Sequence, residues 1–180
     1  MAVSLLVSLL AVPVGAASVT KFSDVSDSYT ATAIETLRLM GVLDGYGDGT
    51  FRPDTVLNRA QFCKMAVYAM DGSGELGRYS TVTIFPDVKP SHWASAYINM
   101  ASRKGIISGF ADGKFKPGQT VTAGQAVTIL MRGLGYKDED MGGVWPQSYM
   151  AEAQTNGLLK STGITSAYAG VTRAQAAKLL

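Results

Sequence analysis

Displaced by 64 residues, the chain falls on itself: Tyr29 lands on Trp93, Ile34 on Ile98, Gly41 on Gly105 and Gly45 on Gly109. The same displacement lays Asp48-Gly49-Thr50-Phe51-Arg52-Pro53 on Asp112-Gly113-Lys114-Phe115-Lys116-Pro117, and Gln61 on Gln125. A weaker third copy follows, with Trp93 on Trp145 and Gly105 on Gly157 at a shift of 52, and Thr122 on Thr172 at a shift of 50. A self-similar segment of this size is one supersecondary unit that cannot bury its own apolar face, so the copies must share a core. The expected organisation is a secretory signal-like segment at 1–17, then units at 18–72, 84–136 and 140–180, the last degenerate and C-terminally short.

Each copy decodes as helix–loop–helix. The first helix carries Ala94, Tyr97, Ile98 and Ala101 at i, i+3, i+4 and i+7, with equivalents Thr30, Ala33, Ile34, Leu37 and Pro146, Tyr149, Met150, Ala153. That spacing lines one face, which has to be covered. Pro146 falls near a first-turn position, where a missing N–H costs nothing. Gly41, Gly105 and Gly157 end these helices as left-handed residues. In the loop Gly45–Pro53, glycine supplies positive φ, Asp48 supports turn hydrogen bonds and Pro53 fixes the exit. Phe51 and Phe115 are expected to fold back as hydrophobic plugs. The second helix opens with a capping box at Thr122/Gln125 and Thr172/Gln175, and with a close variant at Asn58/Gln61. Its buried stripe reads Phe62, Cys63, Ala66, Met70, then Ala126, Val127, Leu130, Leu134, then Ala176, Ala177, Leu180, with fraying expected at the last of these. The fold class is mainly α: three tandem repeats packed as a pseudo-threefold helical bundle, or spindle, with grooves where neighbours meet. The segments Asp71–Arg78 and Gly133–Gly143 are the linkers.

Charge excludes little but excludes it clearly. With 16 Lys+Arg against 14 Asp+Glu the net charge is +2, which gives no basic face for nucleic acid. Ser4 to Val14 is apolar and is followed by small residues at Val14–Ala17, the pattern of a signal peptide that is too short for a permanent membrane anchor. The basic start of such a signal is missing, which leaves open a start upstream of Met1. Cys63 is the only cysteine, so no internal disulfide and no cysteine-based zinc site is expected, and its helical setting reads as core. His92 is the only histidine, with Ser28 and Val144 at the aligned positions, and no catalytic constellation surrounds it. Asp44 and Asp48-Gly49 have the look of a calcium loop but put Tyr46 and Thr55 at ligand positions, so no metal and no cofactor is expected.

The order of motifs resembles the S-layer homology family of bacterial surface proteins. It runs from Phe22-Ser23-Asp24-Val25 and Phe85-Pro86-Asp87-Val88, through His92-Trp93-Ala94, to the paired Gly-Val-Leu-Asp-Gly-Tyr and Gly-Ile-Ile-Ser-Gly-Phe. It closes on Asn58-Arg59-Ala60-Gln61 and Thr172-Arg173-Ala174-Gln175 and covers residues 22 to 180. The resemblance implies a secreted, non-enzymatic module at the cell wall or surface layer. Its inter-unit grooves would hold an anionic secondary cell-wall polysaccharide attached to peptidoglycan, in many members pyruvylated, with the arginine of the Thr-Arg-Ala-Glu/Gln motif as main contact. Other surface-layer proteins are further possible partners. Two alternatives stay open: a protein–protein scaffold of a surface lattice, and the targeting part of a larger secreted enzyme.

The candidate ligand residues are Arg59, Arg173, Trp93, Trp145, Gly45, Gly109, Asp24 and Asp87. Arg59 and Arg173 sit just inside helix N-termini, where a cation is mildly disfavoured and free backbone N–H groups welcome an anion. A carboxylate received by both would explain the placement; pairing with a nearby Asp is the plainer alternative. Trp93, Trp145 and Tyr29 share one aligned position and either offer a flat face to a sugar or wedge the helix against the core, with Tyr29 expected in the core and Trp93 in both roles. Gly45 and Gly109 either admit ligand close to backbone or only serve the turn. Asp24 and Asp87 either meet sugar hydroxyls or cap the first helix. Ala123 stands where Arg59 and Arg173 align, and the third unit lacks Asp-Gly-x-Phe-x-Pro, so at most two grooves are expected to work.

Overall fold

The computed structural model describes residues 22–71 and 74–180, and the signal-like segment lies outside the described residues. The chain is mainly helical, as expected. Its elements are α1 (Ser28–Leu39), α2 (Arg59–Asp71), α3 (Ser95–Arg103), α4 (Ala123–Gly133), α5 (Gln147–Thr155) and α6 (Arg173–Leu179). Short 3₁₀ turns occupy Leu76–Tyr79 and Asp138–Asp140. Among the described residues extended pairing is limited to isolated bridges.

The helix ends follow from local chemistry. Both capping boxes form, at Thr122 with Gln125 and at Thr172 with Gln175. The asparagine variant works identically: Gln61 donates its backbone N–H to Asn58 Oδ1 at 2.8 Å, and Asn58 N–H returns to Gln61 Oε1 at 3.0 Å. Gly41, Gly105 and Gly157 are left-handed at φ of 72°, 72° and 76°. The next residue then donates back into the last turn, Val42 to Leu37, Ile106 to Ala101 and Leu158 to Ala153, each at 2.9 Å.

Helix packing is cyclic. α2 lies against α3, α4 against α5, and α6 returns to α1. The second helix of each unit therefore covers the first helix of the next, and each apolar stripe finds a neighbour. At the centre, three extended segments meet in a closed ring of backbone bonds. Leu57 N–H donates to Val171 O at 2.9 Å, Val171 N–H to Val121 O at 3.0 Å, and Val121 N–H to Leu57 O at 3.0 Å. All three side chains are buried, so the ring is shielded from water and its bonds are strong ones to lose. Phe51 and Phe115 plug the core beside it, each with 0% exposure, and Cys63 is buried with its thiol pushed up to about 12 by desolvation.

Two expectations are corrected. Tyr29 is exposed: the face of α1 that turns inward carries Thr30, Ile34 and Leu37, and Tyr29 lies about 100° round the helix from that line. Leu134 is exposed too, because it caps α4 and the chain turns there; Tyr136 folds back to Met131 and packs on the core in its place. Pro146 stands near the first turn as expected: it is the residue just before α5, follows a cis peptide bond and is buried.

Candidate functional site

Arg59 is the first residue of α2, and only 5% of it is exposed. Its side chain crosses into the loop of the next unit. Nε donates to Phe115 O at 2.8 Å and Nη2 makes a longer contact to Ser108 O at 3.4 Å. The guanidinium lies over the rings of Phe110 and Phe115, 4.7 and 4.5 Å from their centroids. Arg173, first in α6, repeats this on the first unit: Nε to Phe51 O and Nη2 to Asp44 O, both at 2.8 Å, over Tyr46 and Phe51. Among the described residues no carboxylate pairs with either guanidinium, and Nη1 of each has no hydrogen-bond acceptor. Burial pulls both below the ordinary arginine pKa without discharging them. Carbonyl dipoles and aromatic faces offset part of the cost of burying each cation.

The expected welcome from backbone N–H groups is not there. The first two N–H groups of each second helix are taken by the neighbouring loop: Arg59 and Ala60 donate to Gln119 O and Pro117 O at 2.9 and 3.1 Å. Arg173 and Ala174 donate to Thr55 O and Pro53 O, both at 2.9 Å, and Ala123 and Gly124 to Ala169 O and Ala167 O at 2.9 and 2.8 Å. The capping side chain takes the third. The helix starts are sealed by protein, which leaves the guanidinium alone to meet an anion.

This cyclic register joins two oddities of the sequence. Arg59 reads the loop of the second unit and Arg173 that of the first. The residue that faces the third unit's loop is Ala123, and that loop lacks the Phe plug. A buried guanidinium there would have no ring beneath it, so the missing arginine and the missing loop motif are one departure seen twice.

Arg59 lines a cavity of about 400 Å³ between α4 and α5, within the range of small-ligand pockets. Gly109 and Trp145 line it too, together with Ser108, Phe110, Thr128, Arg132, Asp138 and Tyr149. Trp145 is anchored by its Nε1–H, which donates to Thr128 Oγ1 at 3.0 Å, and half of it stays exposed. Trp93 starts the equivalent helix and is also half exposed, stacked on His92 with ring centroids 5.7 Å apart. It does not line this cavity. Gly45 and Gly109 are explained by packing: a Cβ would lie 2.0 Å from Phe22 Cε1 in the first case and 2.6 Å from Phe85 Cε1 in the second.

Asp24 and Asp87 neither cap α1 or α3 nor line this cavity. Asp24 accepts from the N–H groups of Phe51 and Arg52 at 2.8 and 2.7 Å, and Asp87 from those of Phe115 and Lys116 at 3.0 and 2.7 Å. Each clamps the strained turn in which Arg52 and Lys116 take φ of 58° and 59°. The Phe51 N–H holds the Asp24 carboxyl below its ordinary pKa; at Asp87 burial pushes upward, and the Phe115 and Lys116 N–H groups outweigh it. Lowered folded-state pKa values mean stability present above the unfolded carboxylate range and lost as pH falls through the folded values. Thermal melting followed downward from pH 5 should therefore decline in the wild type, and decline less steeply in Asp24→Asn/Asp87→Asn, which is already weaker at neutral pH.

Arg132, Asp138 and Tyr149 were not found as site residues from sequence. Displacement by 64 puts Tyr68 under Arg132, so self-comparison is blind there, and Asp138 belongs to a linker with no equivalent.

The model described as S-layer homology domain matches residues 21–63 and 84–127, the first two units. The chain is 37% identical over 164 residues to a cell surface protein of Thermoanaerobacter kivui, covering 89% of this chain and 21% of that protein. It is 33% identical over 156 residues to the middle cell wall protein of Brevibacillus brevis, covering 86% and 14%. A cellulosome-anchoring protein of Acetivibrio thermocellus is 32% identical over 115 residues, covering 63% and 26%. The chain thus spans about a quarter or less of the length of these relatives.

Proposed function

The chain belongs to the S-layer homology domain family, and from that premise we propose that it is a non-covalent cell-wall anchoring module, without catalytic activity of its own, that captures an anionic secondary cell-wall polysaccharide. The observation that carries this is Arg59: a nearly buried guanidinium with no carboxylate partner among the described residues, lining a cavity beside a pinned tryptophan. An uncompensated cation in a low-dielectric wall is costly unless an anion arrives, and a carboxylate on a sugar supplies one through charge-assisted hydrogen bonds to Nη1. Trp145 offers the apolar face of a sugar ring its match. Arg173, which grips the first unit's loop as Arg59 grips the second's, supports a second site, so the two act as linked weak sites. The names of the relatives, a cell surface protein, a cell wall protein and a cellulosome-anchoring protein, agree with a place at the wall.

A ketal pyruvate is the carboxylate this arrangement suits. The chain is expected to sediment with purified walls that retain pyruvate ketals and to stay in solution with walls stripped of them by mild acid. Arg59→Lys/Arg173→Lys keeps both charges but loses the planar fork, and should weaken capture on the order of tenfold. Capture indifferent to pyruvate removal would sink the anion mechanism.

A further inference from the structure

The cavity holds a second cation that the role of Arg59 does not require. Arg132, on α4, donates from Nε and Nη2 to the two oxygens of Asp138 at 2.8 and 2.6 Å. Buried Tyr149, on α5, donates its hydroxyl to Asp138 Oδ1 at 2.5 Å. Arg132 Nη1 also reaches Ser108 Oγ at 3.2 Å, and the carbonyl of this same serine is the one Arg59 touches. Two guanidinium groups thus converge on Ser108, one with a carboxylate partner and one without.

The pair is placed as a reader and not as a core lock. The Arg132 side chain is 17% exposed, but that of Asp138 is 65% exposed. Hydrogen bonds from Arg132 and Tyr149 lower the Asp138 pKa below its ordinary value, so it stays an acceptor. Oδ1 already accepts two bonds and Oδ2 one, which leaves a lone pair of Oδ2 for an incoming donor. A second anion brought there would meet a carboxylate and be repelled, whereas a neutral hydroxyl completes the set. The other groove is built differently at the same helical positions. Tyr68 and Tyr97 stand where Arg132 and Tyr149 stand here, their hydroxyls 3.2 Å apart and their rings in contact, and Lys64 lies where Thr128 pins the tryptophan.

We infer that Asp138, set in place by Arg132 and Tyr149, is a specificity-determining residue that accepts a hydrogen bond from a ring hydroxyl, making the α4–α5 cavity the groove that tells sugar stereoisomers apart. The ligand class is a hexose ring with one carboxylate and at least one free hydroxyl. This rests on the anionic-glycan role proposed above, and the test separates the two.

Three probes serve: methyl glycosides carrying a 4,6-pyruvate ketal in the gluco, manno and allo configurations, the last two each differing from gluco at one free hydroxyl, C2 or C3. A fourth, the 4,6-ethylidene glucoside, lacks the carboxylate. Titration of the full chain, followed by NMR shifts of the Trp145 indole N–H, should show one configuration preferred by about tenfold. Asp138→Ala should collapse that preference and Asp138→Asn reduce it, with the preferred sugar losing most. Equal binding of all three configurations, a preference that survives Asp138→Ala, or an equal loss for all three would overturn the inference. If the ethylidene probe binds as well as its carboxylated twin while the Asp138-dependent preference persists, the inference stands and the anion role fails. No binding by any probe overturns both.

Discussion

Phe115→Ala is expected to cost about 3–5 kcal/mol of stability and to disable the α4–α5 cavity at once. The ring is fully buried, sits 5.6 Å from Phe85 and forms the platform 4.5 Å beneath the Arg59 guanidinium. Truncation removes core volume, and it also strips the cation of a face that helps to hold it out of water. Urea unfolding with an unchanged slope and a lowered midpoint would report the stability loss. Phe51→Ala should do the same to the groove of Arg173 and spare Arg59. A Phe115→Ala protein that unfolds like wild type would mean that the loop is not the floor of the site.

Ala123→Arg restores the family's residue and should nevertheless destabilise the protein, by about 3 kcal/mol or more. Ala123 is 1% exposed and faces the loop of the third unit, where Ala167 and Ala169 already accept the helix N–H groups and no phenylalanine lies in the Asp-Gly-x-Phe-x-Pro register. A guanidinium would be buried there without an aromatic floor. Grafting Thr50–Pro53 in place of the matching third-unit segment should recover a large part of the loss in the double variant and little alone. That non-additivity, read by thermal melting, is the signature of two residues acting as one element. A neutral Ala123→Arg would show that the arginine and the loop vary independently.

The helices were legible because their signals are local. Periodicity placed Ile34, Leu37, Ile98, Ala101 and Ala153 inward, capping pairs marked where α4 and α6 begin, and glycine marked where α1, α3 and α5 end. Tyr29 was misplaced because an aligned position fixes a residue's place along the chain but not its angle around the helix. The arginines were found through the motif, while their surroundings were not. Nothing local says that Arg59 crosses 56 residues to the Phe115 carbonyl, or that the helix N–H groups near it are spent on a neighbouring loop. Asp24 and Asp87 were noticed for chemistry, yet their partners lie 27 and 28 residues on, in the turn they clamp. Arg132 and Asp138 escaped because repetition reveals only what repeats.

The central ring of Leu57, Val121 and Val171 makes the order of the units along the chain nearly irrelevant to the order in which they depend on one another. Arg173 grips a carbonyl 122 positions earlier, so the last helix finishes a groove that the opening loop begins. Deleting α6 should therefore be felt first at Asp44–Phe51, near the opposite terminus, and contacts of that span favour slow, all-or-none assembly over unit-by-unit growth. A proteolytic nick in a linker would leave the halves clasped, whereas loss of any one unit would open the circle.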